Sequence, residues 1–204
     1  MDRLELLAHP VRLRIVHAMT GGRTLTTSEL CERMPDVSKA TVYRHVGLLA
    51  DAGVLEVEGE QRVRGAVERR FRLRREVAAV SADEVSAVSR QDHRRIFAAA
   101  MATLIAEFNA YLDRTEEVAD SVGYRQHAVW LSPGELDDLI VDMRRAIAPR
   151  LANEPSPERA QYLLSPVMFP IEEPVSGAEE SRAGEPRAGE PRAGESGAAG
   201  SGGG

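Results

Sequence analysis

From Ser38 to Gly47 the chain reads SKATVYRHVG, and the reactive side chains in this run are of one kind. Ser38 and Thr41 carry hydroxyls, Lys39 and Arg44 are cations, Tyr43 adds a phenol, and Ala40 and Gly47 keep the surface low. No carboxylate interrupts them. Groups of this kind bind anionic oxygens and the edges of bases: a guanidinium donates bidentately to guanine, and small methyl groups such as those of Ala40 and Thr41 pack on thymine methyls. A second cationic cluster follows, with Arg62, Arg64, Arg69, Arg70, Arg72, Arg74 and Arg75 set against Glu68 alone between residues 61 and 75.

Other chemistry finds little support in the sequence. The single Cys31 excludes an intrachain disulfide and fits a small core residue better than a redox sensor. The histidines His9, His17, His45, His93 and His127 form no H-x-H and no i,i+4 pair within a helix, so no metal site and no cofactor are expected. A phosphate-binding glycine loop and a G-x-S-x-G elbow are both absent, and acidic neighbours such as Asp137-Asp138 suit solvated helix faces, so no enzymatic activity is expected.

The elements that must hold these residues can be read locally. Leu4, Leu7, Val11, Ile15 and Met19 form an apolar stripe at helical spacing, with Pro10 suited to a first helical position and Gly21-Gly22 to a stop. A short helix follows, capped by Thr27, with Leu30, Cys31 and Met34 inward. Ser38 caps a third helix, residues 38–52, in which Val42, Val46 and Leu49 fall within about 60° of one another and so turn the Ser38–Arg44 set outward. His45 falls between the two faces, and Gly53 supplies the left-handed stop. Beyond it the period changes to two. Residues 54–58 and 68–74 read as strands with Phe71 and Leu73 inward, joined by a polar basic connection at 59–67. Arg70, Arg72 and Arg74 alternate as a solvated strand face would, which leaves Arg62 and Arg64 at the tip as the contacts for a phosphate backbone.

Three helices and a basic hairpin make the plan of a winged helix-turn-helix. LAHPVRLRIVHAM resembles the opening helix of the ArsR-type winged-helix repressors, and SKATVYRHVGLLADAGVLEV resembles their recognition helix and wing start. The resemblance covers about residues 4–75. It implies double-stranded DNA as partner, residues 38–52 in the major groove, and the wing on backbone or minor groove. Ser38, Lys39, Ala40, Thr41, Tyr43, Arg44, Arg62 and Arg64 are the residues it assigns to DNA. It also implies repression of transcription by a homodimer on a palindromic operator. A winged helix serving only as a protein-interaction module is the alternative.

Charge, counted over the whole chain, points the other way. The net charge is −6 and the pI about 5.5, yet residues 1–75, 76–175 and 176–204 carry balances of +4, −8 and −2. The acidic remainder masks a basic first third. Of the 26 cations only Lys39 is a lysine.

The remaining chain reads as support. Asp83 to Gly123 is expected to be one long helix, whose seam of Phe97, Met101, Leu104, Phe108 and Tyr111, continued by Thr115, Val118 and Val122, asks for a partner helix and marks the dimer interface. Residues 125–132 read as a strand, Ser132-Pro133-Gly134-Glu135 as a capping box opening an amphipathic helix, and 162–164 with 167–169 as further strand. This βαβ unit is loosely similar to extensions of ArsR-like regulators. With Trp130 added, the seam aromatics suggest a small-molecule effector. From Ser176 the RAGEP repeats lack any large apolar residue, and a disordered tail is expected. The class is therefore mainly α with small β (α+β): a winged helix-turn-helix domain over 1–80, a dimerisation and effector region over 81–175, and the tail over 176–204. The opening MDRLELLAHP lacks the pattern of a secretory signal, and no run of about 18 apolar residues suggests a membrane span, so a cytoplasmic location is expected.

Overall fold

A computed structural model of the chain describes residues 3–63, 66–78 and 88–172. Arg64, residues 79–87 and the repeat tail from residue 176 lie outside the described residues. The chain divides into two compact units, 1–165 and 166–204. In the second, residues 166–172 form no helix or strand.

The first unit opens with α1 (Arg3–Leu7) and α2 (Pro10–Ala18). Pro10 occupies the first turn of α2, and His9 caps it through Nδ1, which accepts from the Val11 amide at 3.2 Å. The Arg12 guanidinium donates back to the carbonyls of Leu6 and Glu5, which satisfies the open end of α1. Gly21 and Gly22, both at φ 75°, turn the chain into β1 (Thr24–Thr26), and the backbone of Asn153 and the ring of Pro155 press on Gly21 where a side chain would sit.

Helix α3 (Thr27–Arg33) is capped by Thr26, one residue earlier than expected; Thr26 Oγ1 accepts from the Glu29 amide while the Glu29 carboxylate accepts from the Thr26 amide. Helix α4 (Lys39–Asp51) is capped by Ser38 and closed by Gly53 at φ 72°. Strands β2 (Leu55–Val63) and β3 (Ala66–Leu73) form an antiparallel hairpin, and β3 also pairs with β1, giving the sheet order β1-β3-β2. The residues expected to connect the two strands are thus mostly strand themselves. Val57 stands opposite Phe71 and Gly59 opposite Arg70, which leaves Glu58 as a bulge.

One core unites these elements. Ile15, Leu30, Val42 and Leu49 have no measurable exposure, and Met19, Val46, Val54 and Leu55 at most 2%. Each such side chain contributes roughly 1.5–3 kcal/mol by leaving water. Cys31 is a buried free thiol in the same cluster.

After the short α5 (Arg75–Ala78) comes α6 (Arg90–Leu112), which packs on α2. The long helix ends at Leu112, eleven residues before the expected Gly123, and Thr115, Val118 and Val122 belong to turns and coil. Glu116 and Glu117 would add negative charge to the negative end of the helix dipole. Tyr111 Oη instead accepts from the Ala119 amide at 2.9 Å as the chain folds back.

Helix α7 (Pro133–Leu151) carries the expected capping box of Ser132 and Glu135. The strands expected beside it do not form: residues 125–132, 162–164 and 167–169 have no ladder, and only an isolated bridge, Ser156 to Arg159, occurs between α7 and residue 172. Alternation makes a strand only where another backbone pairs with it, and a single chain supplies none here. No helix among the described residues is long and apolar enough to cross a membrane.

Candidate nucleic-acid interface

Helix α4 presents its two faces as the sequence spacing requires. Val42, Val46 and Leu49 face inward, while Ser38, Lys39, Ala40, Arg44 and Gly47 are exposed, Thr41 is half-buried, and Tyr43 is 54% exposed. The N-terminus of α4 is open for an anion. Ser38 Oγ accepts from the Thr41 amide at 3.3 Å and lies 2.8 Å from Thr41 Oγ1, and the dipole adds partial positive charge. Helices α3, α6 and α7 each place an acid in their first turn, a choice worth about 0.3–1 kcal/mol, whereas α4 places none. The helix forgoes that stabilisation and keeps its tip positive.

Beneath Arg44 lies a pair of rings that the sequence did not reveal. His45, at 3% exposure, packs against His9 with ring centroids 4.3 Å apart and the planes tilted by 40°, and its Nδ1 is buried without a hydrogen-bond partner among the described residues. Burial first, then His9, Arg12 and Arg44, pushes His45 down to about 4; burial, Arg12 and Arg44 push His9 below its ordinary value as well. Both rings are therefore neutral at pH 7. His9 comes from the N-cap of α2 and His45 from mid-α4, and no spacing rule joins them.

The sign of the resulting pH effect follows from linkage. The unfolded chain takes up protons near pH 6.5 while folded His45 resists until about 4, so stability is full above pH 6.5 and declines as pH falls toward 4. Urea unfolding followed between pH 7 and 4.5 should show this decline, and His45→Gln should reduce it, the remainder belonging to His9 and the buried His17, which are also held below their ordinary value. An unchanged slope would mean that the ring is not held neutral.

On the hairpin most of the arginines are already engaged. Arg72 pairs with Glu56 at 2.8 Å and Glu58 at 3.6 Å, Arg74 with Glu56 at 3.2 Å, and Arg69 with Glu60 at 2.9 Å. Arg70 donates to the Thr24 carbonyl at 3.1 Å, tying β3 to β1. Exposed pairs of this kind add only about 0–1 kcal/mol each, but they occupy the guanidinium groups. Arg62, near the tip, is exposed and forms no ion pair among the described residues. Arg62 thus differs from Arg69, Arg72 and Arg74, whose partners are Glu56, Glu58 and Glu60. Arg64 lies outside the described residues.

A buried cation fixes this surface to the rest of the unit. Arg14, 3% exposed, grips both oxygens of Asp36 at 2.6 and 2.9 Å and donates through Nε to Glu107 at 3.0 Å. Asp36 lies in the turn before α4 and Glu107 on α6, so one guanidinium joins α2, the turn and the long helix. The sequence shows three unremarkable charges at these positions, far apart in the chain.

Helix α6 has two distinct faces. Ala99, Thr103 and Ala110 are buried, and Thr103 Oγ1 bonds to the Ala99 carbonyl at 2.8 Å, whereas Phe97, Ile105, Phe108 and Leu112 are 37–61% exposed. Met101, Leu104 and Tyr111 are half-buried. The expected seam therefore lies away from the face spent on α2. Phe108 approaches Tyr111 and Tyr124, with ring centroids 6.3 Å away in each case, but Trp130 is 74% exposed, so the aromatic set lies open and encloses no effector in one chain.

Among the described residues no three His, Cys, Asp or Glu side chains converge as metal ligands would. A family model described as a helix-turn-helix domain matches residues 7–58, from the end of α1 through the first part of β2. No curated protein matches the chain. Together with the three-stranded antiparallel sheet, whose β3 lies beyond the match, the helix-turn-helix domain fits an α+β winged helix and suggests a DNA-binding regulator.

Proposed function

We propose that the chain is a sequence-specific transcriptional regulator, a repressor of ArsR-like kind, that binds a palindromic operator as a cytoplasmic homodimer. The observation that carries this reading is the outer face of α4 over Ser38–Gly47, which holds no acid, is positive at its tip and is held rigid from behind by Val42, Val46 and Leu49. An α-helix fits the major groove, and residues in its first turns reach base edges. Arg44 donates to a base, Ala40 and Thr41 meet thymine methyls, Lys39 and Tyr43 line the groove, Ser38 holds a phosphate, and Arg62 with Arg64 lies along the backbone.

The outer face of α6 supports the dimer. Large apolar side chains at Ile105, Phe108 and Leu112 remain in water while the smaller residues of the helix are buried, and a second copy is the partner that a two-fold operator requires. The acidic balance of the rest of the chain turns the basic head toward DNA.

Selection of bound fragments from genomic DNA tests the reading. An enriched inverted repeat with half-sites about 10–10.5 base pairs apart, or a multiple of that, is the expected result. The acidic pI of about 5.5 favours the rival, a winged helix used only to bind protein, and that rival predicts neither enrichment nor retention on heparin at raised salt.

A further inference from the structure

Helix α7 is well built and unused. Its N-terminus is closed by the capping box, its first turn holds Pro133, and Leu136, Leu139, Ile140, Met143 and Ile147 form an apolar stripe, yet no residue of it is buried. A helix of this length gains most of its stability from burying such a face. Helix α6 has the complementary deficit, since Ile105, Phe108 and Leu112 are exposed on the side away from α2. Within one chain neither helix covers the other.

Their charges run in opposite directions. In α6 the first half holds Arg90, Arg94 and Arg95 against Asp92, and Asp113 stands at the C-cap, Glu107 being already bound to Arg14; in α7 Glu135, Asp137, Asp138 and Asp142 come first, and Arg144, Arg145 and Arg150 follow. Laid parallel, the two helices set the arginines of the first half of α6 against the acids of the first half of α7 and bring both apolar stripes together. Pairing α6 with itself in antiparallel fashion also matches charge, but it leaves α7 in water.

The far end of the arm is anchored on its own head. Gln161 donates to the His17 carbonyl at 2.7 Å and to Thr20 Oγ1 at 2.9 Å, and accepts from Arg23 at 2.7 Å. The helix is thus presented from a fixed point. The segment from Asp113 to Ser132, at roughly 3.3 Å per residue when extended, is long enough to let α6 and α7 belong to different contacts.

We propose that α7 of each copy lies parallel along the outer face of α6 of a second copy, so that the homodimer closes by reciprocal exchange of arms. This inference rests on the dimeric reading above and specifies how the dimer is closed.

Thiol crosslinking tests it in a Cys31→Ser background. One copy carries Ile105→Cys, and a second, affinity-tagged copy carries Ile147→Cys, which the parallel register sets beside it; the two are co-expressed and treated with a short bismaleimide. The expected product is a dimer joining the two different copies, and a chain carrying both substitutions crosslinks between chains. Self-crosslinking of Ile105→Cys that equals the mixed product overturns the exchange, as does a doubly substituted chain that closes on itself at monomer mass. Sedimentation separates the two layers of inference: a dimer without the mixed product removes only the arm exchange, whereas a monomer at tens of micromolar removes the dimeric reading too. Leu136→Glu gives an independent measurement and should raise the dimer dissociation constant at least tenfold; no change would count against α7 at the interface.

Discussion

Arg44→Ala should weaken binding to the selected operator by about 1–3 kcal/mol, roughly 5–150-fold, and relax base preference at one position in each half-site. The guanidinium is exposed on the outer face of α4, forms no ion pair among the described residues, and projects from a helix whose other face is locked in the core. It is therefore free to donate to a base edge without breaking an internal contact. Arg62→Ala provides the contrast. A phosphate contact at the hairpin tip carries no sequence information, so its loss should weaken all sequences alike and lower the salt slope by about 1. Fluorescence anisotropy against the operator and its single-base variants, repeated over a salt series, separates the two. Equal losses on every base variant for Arg44→Ala would remove it from the groove.

The second large effect is on stability. Arg14→Ala should destabilise the fold by about 2–4 kcal/mol, toward the lower end of what removing one member of a buried ion pair costs, because Asp36 and Glu107 are partly exposed and regain some water. Two carboxylates then stand near each other without their shared cation. The direction of the pH dependence also follows. Hydrogen bonding from Arg14 holds the Asp36 carboxyl below its ordinary value of 3.8, so its contribution is complete above that pH and is lost as pH falls further. Urea melts of Arg14→Ala and Asp36→Asn, singly and together, should show strong non-additivity, with the acid decline reduced in each. A loss below about 1 kcal/mol would mean that the bridge is decorative.

Local signals account for what the sequence disclosed. The caps at Ser38 and Ser132, the stop at Gly53, the inward Val42, Val46 and Leu49, and the buried Phe71 and Leu73 each depend on neighbours within a few residues, and each is found in the structure. Strand β1 was illegible because three residues between a Gly-Gly turn and a helix are too short to establish a period; only Leu25 between threonines hinted at it. The T-x-x-E spacing from Thr26 to Glu29 was available and would have placed that cap correctly. The apolar period beyond Leu112 misled, since periodicity reports which side of a helix would be buried and not whether the helix continues. The Arg14 bridge and the His9–His45 contact join residues distant in sequence, which no single-chain pattern encodes. Residues 125–132, 162–164 and 167–169 read as strands and lack only something to pair with.

The extra residue at Glu58 decides which way the tip of the hairpin reads. Along an uninterrupted β2 the odd positions would share a side with Leu55 and Val57, and Arg62 would point with Glu56, away from the helices. Because Gly59 rather than Glu58 stands opposite Arg70, the parity reverses, and Arg62, opposite Val67, falls on the side of Leu55, Phe71 and the helices. A one-residue insertion thus works as a frameshift in three dimensions, giving Arg62 the helix-facing side of the sheet that a perfectly regular ladder would deny it.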